Sequence, residues 1–235
     1  MKQTKAIIYD DNCPMCRWYT RAFVETNLLD KEGRISFSRL EHTHLAEQLD
    51  LQRSKHEIPL VDLEGGATIY GVDSLIYLLS PRFPFLKKIM GLKPLNYFFR
   101  KLYKLVSYNR GIMAPSPKKT RVYDCTPDFN LTYRLAFIGL AGGTGILLLS
   151  LFFQSGLMNA NWLFALLLLS LIAGNVFKGN DYVSYLGHLS FLLLLGGLIT
   201  LPALAFPVFT PLVGTLALSV MIWQFIRRYK LLKAS

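Results

Sequence analysis

Apolar and polar positions follow two different rules along this chain. As far as residue 80, short apolar runs alternate with mixed polar stretches, whereas beyond Arg134 the apolar runs lengthen and charge almost vanishes until Arg227. The first run, Ala6-Ile7-Ile8-Tyr9, has the β-branched bias of a strand, and Trp18, Tyr19, Ala22, Phe23 and Val24 recur as one face of an amphipathic helix. Alternation over Arg34–Ser38 predicts a second strand. Glu41–Leu51, carrying Leu45, Leu49 and good helix formers, predicts a second helix. Glu57–Leu63 reads as a third strand, Glu64-Gly65-Gly66 as a hairpin turn and Ala67–Tyr70 as a fourth strand. Gly71 breaks the pattern, and Asp73–Leu79 forms a third helix that ends before Pro81. The predicted order is β-α-β-α-β-β-α.

Cys13-Pro14-Met15-Cys16 falls at the first strand-to-helix junction, with Asn12 as the expected N-cap and Pro14 in the first turn. A thiol attacks only as its thiolate. The unpaired N–H groups and dipole of a helix N-terminus favour that anion. One helical turn returns Cys16 to Cys13, so attack by Cys13 and resolution by Cys16 follow naturally. Asp10, at the end of the strand, could move a proton there. Two other readings stay open from the residues: half of a zinc site completed by His42 and His44, and an inert buried pair. The chain has three cysteines, which argues against a disulfide-stapled framework.

The element order and the cysteine placement resemble the thioredoxin and glutaredoxin fold. That resemblance implies a cis Ile58–Pro59 bond opening the third core strand opposite the disulfide. More closely, Asp-x-x-Cys-Pro-x-Cys after a short strand resembles the DCC family of thiol–disulfide oxidoreductases, with Asp10, Cys13 and Cys16 at the three named positions. Tyr70-Gly71-Val72-Asp73-Ser74, and Leu102-Tyr103-Lys104 through Tyr108-Asn109-Arg110, resemble later elements of that family, so the likeness runs from Lys5 to Ile112. Asp11 stands where the family usually has Gly, placing a second carboxylate beside the thiols. The resemblance implies dithiol–disulfide exchange, with Cys13 as nucleophile, Cys16 as resolver and Asp10 as proton-handling aid. Pro14, Ile58, Pro59 and Gly71 would meet the partner, a protein or small thiol or disulfide. No cofactor is implied beyond the Cys13–Cys16 disulfide, with glutathione as a co-substrate if the chemistry is of glutaredoxin type. A non-catalytic membrane scaffold with a thioredoxin-like binding module is the competing class.

The charge pattern changes after residue 81. Arg82, Lys87, Lys88, Lys93, Arg100, Lys101, Lys104, Arg110, Lys118, Lys119 and Arg121 are unopposed by any acid and interleaved with aromatic and aliphatic residues. Next to a membrane domain, such a stretch over residues 82–121 predicts contact with anionic lipid, with Phe98, Phe99, Leu102 and Val106 as alternative core contacts. The net charge of +11 is then no sign of nucleic-acid binding. Apolar segments at Leu135–Phe153, Trp162–Phe177, Tyr185–Phe206 and Val208–Ile226 predict four membrane spans. Basic residues before the first span and after the last predict cytoplasmic termini, in a bacterial inner membrane. The expected organisation is an α/β thioredoxin-like core over 1–81, a basic extension over 82–134, an all-α transmembrane bundle over 135–226 and a basic tail over 227–235. No secretory signal is expected at the N-terminus. Gly139-x-x-x-Gly143 permits close helix approach. Asn175 and His188 suit hydrogen-bonded structural roles near span ends, and Cys125 suits a free thiol.

Overall fold

The computed structural model describes residues 5–117, 125–154 and 161–233, the side chains of 41–42 and 161–166 excepted. The expected basic residues Lys118, Lys119 and Arg121, and the side chain of the suggested zinc ligand His42, lie outside the described residues. Contacts divide the chain into two compact units, Met1–Asp128 and Phe129–Ser235.

The first unit is a thioredoxin-like α/β fold. Its sheet has the order β2-β1-β3-β4, built from β1 (Lys5–Tyr9), β2 (Arg34–Ser36), β3 (Pro59–Asp62) and β4 (Ile69–Tyr70). β1 runs parallel to β2, with Ile8 opposite Ile35, and antiparallel to β3, with Ala6 opposite Val61; β3 and β4 form a hairpin. Strands covered on both faces need apolar residues at every position, and Ala6, Ile7, Ile8, Leu60 and Val61 are all inaccessible. Ile8 and Val61 pack on one face with Phe37, Leu40, Leu49 and Cys125. On the other, Ile7, Ile58 and Leu60 meet Tyr19 and Phe23 of α1 (Pro14–Glu25), Leu75 and Leu78 of α3 (Val72–Leu79) and Tyr103 of α5 (Lys93–Met113).

The expected helix over Glu41–Leu51 is not formed. Two 3₁₀ stretches, Phe37–His42 and His44–Gln48, precede a single-turn α2, Leu51–Ser54. Thr43 is extended at φ −137° and bonds back to the Leu40 carbonyl, which stops the first stretch. Asp50 then caps a fresh start, its carboxylate accepting the Arg53 N–H at 2.9 Å. Ile58–Pro59 is also not cis, since the described residues contain no cis peptide bond.

The basic stretch after residue 81 folds as α4 (Phe85–Gly91) and α5. The C-terminal half of α5 is an integral wall of the first unit, with Ser107, Asn109, Arg110 and Ile112 buried. Phe98, Phe99 and Leu102 of its first half are exposed, so of the alternative core contacts only Val106 turns inward.

The second unit is helical: α6 (Leu131–Phe137), a π turn (Ile138–Gly142), α7 (Gly143–Gln154), α8 (Asn161–Gly174), α9 (Gly179–Ala205) and α10 (Thr210–Lys233). Among the described residues, three helical stretches, Leu131–Gln154, Gly179–Ala205 and Pro207–Lys233, are long and apolar enough to cross a membrane. The expected second span is a helix of 14 residues and falls short of that length. Glycines set the seam. A Cβ on Gly142 would lie 3.2 Å from Ser190 Oγ, one on Gly145 would strike the Leu193 backbone at 2.4 Å, and one on Gly197 would strike Leu148 at 2.8 Å. These pairs advance together along both helices, so α7 and α9 are parallel neighbours. Gly196 against Met221, and His188 against Arg228, make α9 and α10 antiparallel. Gly139 and Gly143, the pair the spacing singled out, have nothing within 4 Å of a built Cβ. The π turn between them inserts an extra residue into the helical repeat and rotates a different set of glycines into contact.

Candidate active site

β1 delivers the chain into a turn closed by Asp10. Its Oδ1 accepts the Asn12 N–H at 2.9 Å, and its carbonyl accepts the Cys13 N–H at 3.3 Å. Helix α1 then begins with Pro14 in its first turn, and the N-cap is Cys13 rather than the expected Asn12. Cys13 is extended at φ −86°, and its Sγ accepts the Cys16 N–H at 3.4 Å, so sulfur fills the place usually taken by a capping oxygen. The Asn12 side chain instead donates to the Pro117 carbonyl at 3.2 Å.

Both thiols are free and nearly covered, Cys13 at 5% and Cys16 at 4% exposure. They are electronically unequal. The Cys16 thiol donates to Cys13 and, with the Cys16 N–H and the positive charge of Arg110, pulls the Cys13 thiol down to about 7 against burial and the Asp10 carboxylate. Donation to Cys13, then burial, pushes the Cys16 thiol well up. An attacking thiol works best with a pKa near ambient pH. The site therefore holds one thiol eased toward its anion and one held toward its protonated form.

Arg110 falls, by sequence reasoning, in the basic stretch and in the closing family-like element, but not in the site. It lies near the end of α5, 7% exposed, and its Nη2 donates to Asp10 Oδ2 at 3.2 Å and to the Cys125 carbonyl, with Cys125 Sγ at 3.4 Å. Its charge lowers both active-site thiols, while Asp10 raises both. Arg110 thus offsets a carboxylate that would otherwise oppose the thiolate. The available signal was an Arg on the inward face of an amphipathic helix, in the Tyr108-Asn109-Arg110 element. Asp11, the second carboxylate next to the turn, accepts the Ser38 hydroxyl through its Oδ2 at 3.2 Å.

Ile58 and Pro59 are tied into the domain. The Ile58 N–H donates to Tyr103 Oη at 2.8 Å, and its carbonyl accepts the Gly71 N–H at 2.9 Å and the Ser74 hydroxyl at 3.0 Å. In this trans arrangement both polar groups of Ile58 are satisfied internally, and Pro59 is fully buried at the start of β3. Gly71 sits at φ +68°, a left-handed conformation that favours glycine, and there caps α3. A cavity of about 290 Å³ lies against this arrangement, lined by Asp10, Cys16, Tyr19, Tyr103, Arg110 and Cys125 among others. Cys125 is buried in the core, its Sγ directed to the Ser54 carbonyl at 3.5 Å. Among the described residues, no group of three or more His, Cys, Asp or Glu side chains is placed to hold a metal.

A dithiol at the N-terminus of the first helix of a thioredoxin-like sheet, with a lowered leading thiol and a raised second one, defines a thiol–disulfide exchange domain. Residues 7–113 match the family model of the DCC1-like thiol-disulfide oxidoreductases. No curated protein and no solved structure matches the chain.

Proposed function

We propose that the protein is a membrane-anchored thiol–disulfide oxidoreductase working from the cytoplasmic side. The observation that carries this reading is the Cys13–Cys16 pair at the start of α1, where Cys13 Sγ caps the helix and accepts the Cys16 N–H. Cys13 attacks one sulfur of a partner disulfide, forming a mixed disulfide and releasing one partner thiolate. Cys16 then loses its proton, to that thiolate or to Asp10, and attacks Cys13 Sγ, releasing the second partner thiolate. The partner gains two electrons and Cys13–Cys16 becomes a disulfide. A protein dithiol or a small thiol such as glutathione resets it. Pro14, exposed beside Cys13, and the backbone at Ile58, Pro59 and Gly71 are proposed to contact the partner.

Membrane anchoring rests on the three long apolar helices. Four crossings are supported by the parallel run of α7 and α9, because a chain that crosses twice in the same direction must return between them. Helix α8 lies in that interval. The start of α6 and the end of α10 then share one side, where Arg134, Arg227, Arg228, Lys230 and Lys233 also favour the cytoplasm. Exposed Tyr97, Phe98 and Phe99 among the basic residues of α5 suit an anionic lipid surface.

The test is a redox titration of the full chain in detergent, equilibrated with glutathione buffers and trapped by alkylation. A reversible two-electron transition between about −200 and −270 mV is expected, lost in Cys13→Ser. Absence of a transition, or a stoichiometric zinc ion released by Cys13→Ser, would replace this reading with a binding module.

A further inference from the structure

The cavity of about 290 Å³ in the first unit reaches the active-site pair from one side: Cys16 lines it and Cys13 does not. Its size is at the lower end of small-molecule pockets. Tyr19, Phe23, Leu75, Leu79, Tyr103 and Val106 give it a mainly aromatic and aliphatic wall. Its two charged residues, Asp10 and Arg110, already offset each other, with Arg110 Nη2 3.2 Å from Asp10 Oδ2. Its serine hydroxyls are committed as well, Ser54 donating to the Asp50 carbonyl at 2.7 Å and Ser107 to the His56 carbonyl. The polar capacity left over is donating. Arg110, 7% exposed, has its Nε buried with no acceptor among the described residues. Tyr103 Oη accepts the Ile58 N–H at 2.8 Å and so keeps its own proton to give.

We propose that this cavity binds a quinone, which accepts the two electrons of the Cys13–Cys16 dithiol. A buried N–H without an acceptor is costly, so an occupant that carries an acceptor is favoured. The apolar wall requires the rest of that occupant to be apolar too. A carboxylate or phosphate would bring an uncompensated anion into the cavity beside Asp10, whereas a carbonyl oxygen accepts the same hydrogen bond without charge. A quinone joins a flat apolar ring to two carbonyl oxygens, and it takes up two electrons, the number a dithiol gives. As Cys16 Sγ bonds to a ring carbon, the Cys16 proton passes to one quinone oxygen. Cys13 Sγ then attacks Cys16 Sγ. The S–S bond forms, the C–S bond breaks with its electron pair left on the ring, and the Cys13 proton reaches the second oxygen. The dithiol is oxidised to the disulfide and the quinone is reduced to the hydroquinone. A protein dithiol or glutathione restores the Cys13–Cys16 thiols by exchange, so electrons run from thiols to quinone. This electron transfer rests on the oxidoreductase reading above; binding in the cavity does not.

The experiment uses the reduced full chain in detergent without oxygen, and duroquinone, whose fully methylated ring cannot be trapped as a stable aryl thioether. One hydroquinone per chain is expected, at a rate that saturates with duroquinone, as Cys13 and Cys16 together become resistant to alkylation. Leu79→Trp, which fills the cavity, should lower the rate at low duroquinone at least tenfold and leave exchange with glutathione unchanged. Val106→Trp, from the opposite wall, should do the same and covers the case in which Leu79→Trp fails to fold. A rate that is linear in duroquinone and equal in wild type and the filled variants would overturn the site. Full glutathione exchange with no duroquinone reduced would also overturn it, leaving the proposed function intact. Binding is read separately by equilibrium dialysis of the protein carrying both Cys13→Ser and Cys16→Ser, which cannot transfer electrons. One duroquinone per chain, not displaced by durene, the same methylated ring without carbonyls, supports the site. Equal binding of durene, or duroquinone binding undiminished by the filling substitutions, would overturn it. Specific duroquinone binding to a protein whose thiols exchange nothing with glutathione would sink the proposed function and leave the quinone site standing.

Discussion

Replacing Cys16 by alanine removes the largest influence that lowers the Cys13 thiol, the hydrogen bond from the Cys16 side chain, while leaving the backbone N–H of residue 16 in place. At pH 7 a thiol with pKa about 7 is half ionised, whereas an ordinary one near 8.5 is ~3% ionised, a ratio of ~16 in thiolate. Lower basicity weakens each thiolate. With a Brønsted exponent of about 0.45, the Cys13 anion attacks ~5-fold more slowly than an ordinary one. The wild-type protein should therefore alkylate at Cys13 ~3-fold faster than Cys16→Ala at pH 7, and ~4-fold slower at pH 9, where both thiols are mostly ionised. The two rate profiles cross. Cys16→Ser, whose hydroxyl still donates, should follow the wild type. The assay is iodoacetamide labelling of the reduced full chain in detergent, quenched at intervals and quantified for the Cys13 peptide by mass spectrometry. Coincident profiles for the alanine and serine variants would refute the hydrogen bond as the cause, and parallel profiles without a crossing would refute the lowered pKa itself.

Arg110→Met should destabilise the first unit by about 3–5 kcal/mol, because it strands a nearly buried Asp10 carboxylate, and Arg110→Met with Asp10→Asn should recover part of that loss. Thermal unfolding in detergent reads both, and an Arg110→Met protein as stable as wild type would show that the ion pair carries no such weight. Gly145→Val should lower the unfolding midpoint through about 1–3 kcal/mol of overpacking, because its Cβ would meet the Leu193 backbone at 2.4 Å, whereas Gly143→Val has open space. Equal effects at the two glycines would contradict the α7–α9 seam.

Much of the first unit was legible in the chain because its signals are local. The apolar run Ala6–Tyr9, the Cys13–Cys16 spacing and the Gly65-Gly66 turn each report a few adjacent residues, and the strands formed where the pattern indicated. The region 41–51 was harder. Its composition favours a helix, but Thr43 and Asp50 bond to nearby backbone and divide it into separate turns.

The sequence by itself determined the thioredoxin-like order of elements, the dithiol at its strand-to-helix junction and the long apolar helices that follow, since hydrophobic periodicity and composition are properties of neighbouring residues. Only the tertiary structure decided that Arg110 reaches back to Asp10 and the thiols, that Ile58 is held by Tyr103 and Gly71 in a trans peptide, and that Gly145 rather than Gly143 lies at the helix seam. It also brought His188 and Arg228 into hydrogen-bond contact within the second unit. Those outcomes depend on which faces meet after folding, and electrostatic and steric contact act through space between residues that the chain keeps far apart.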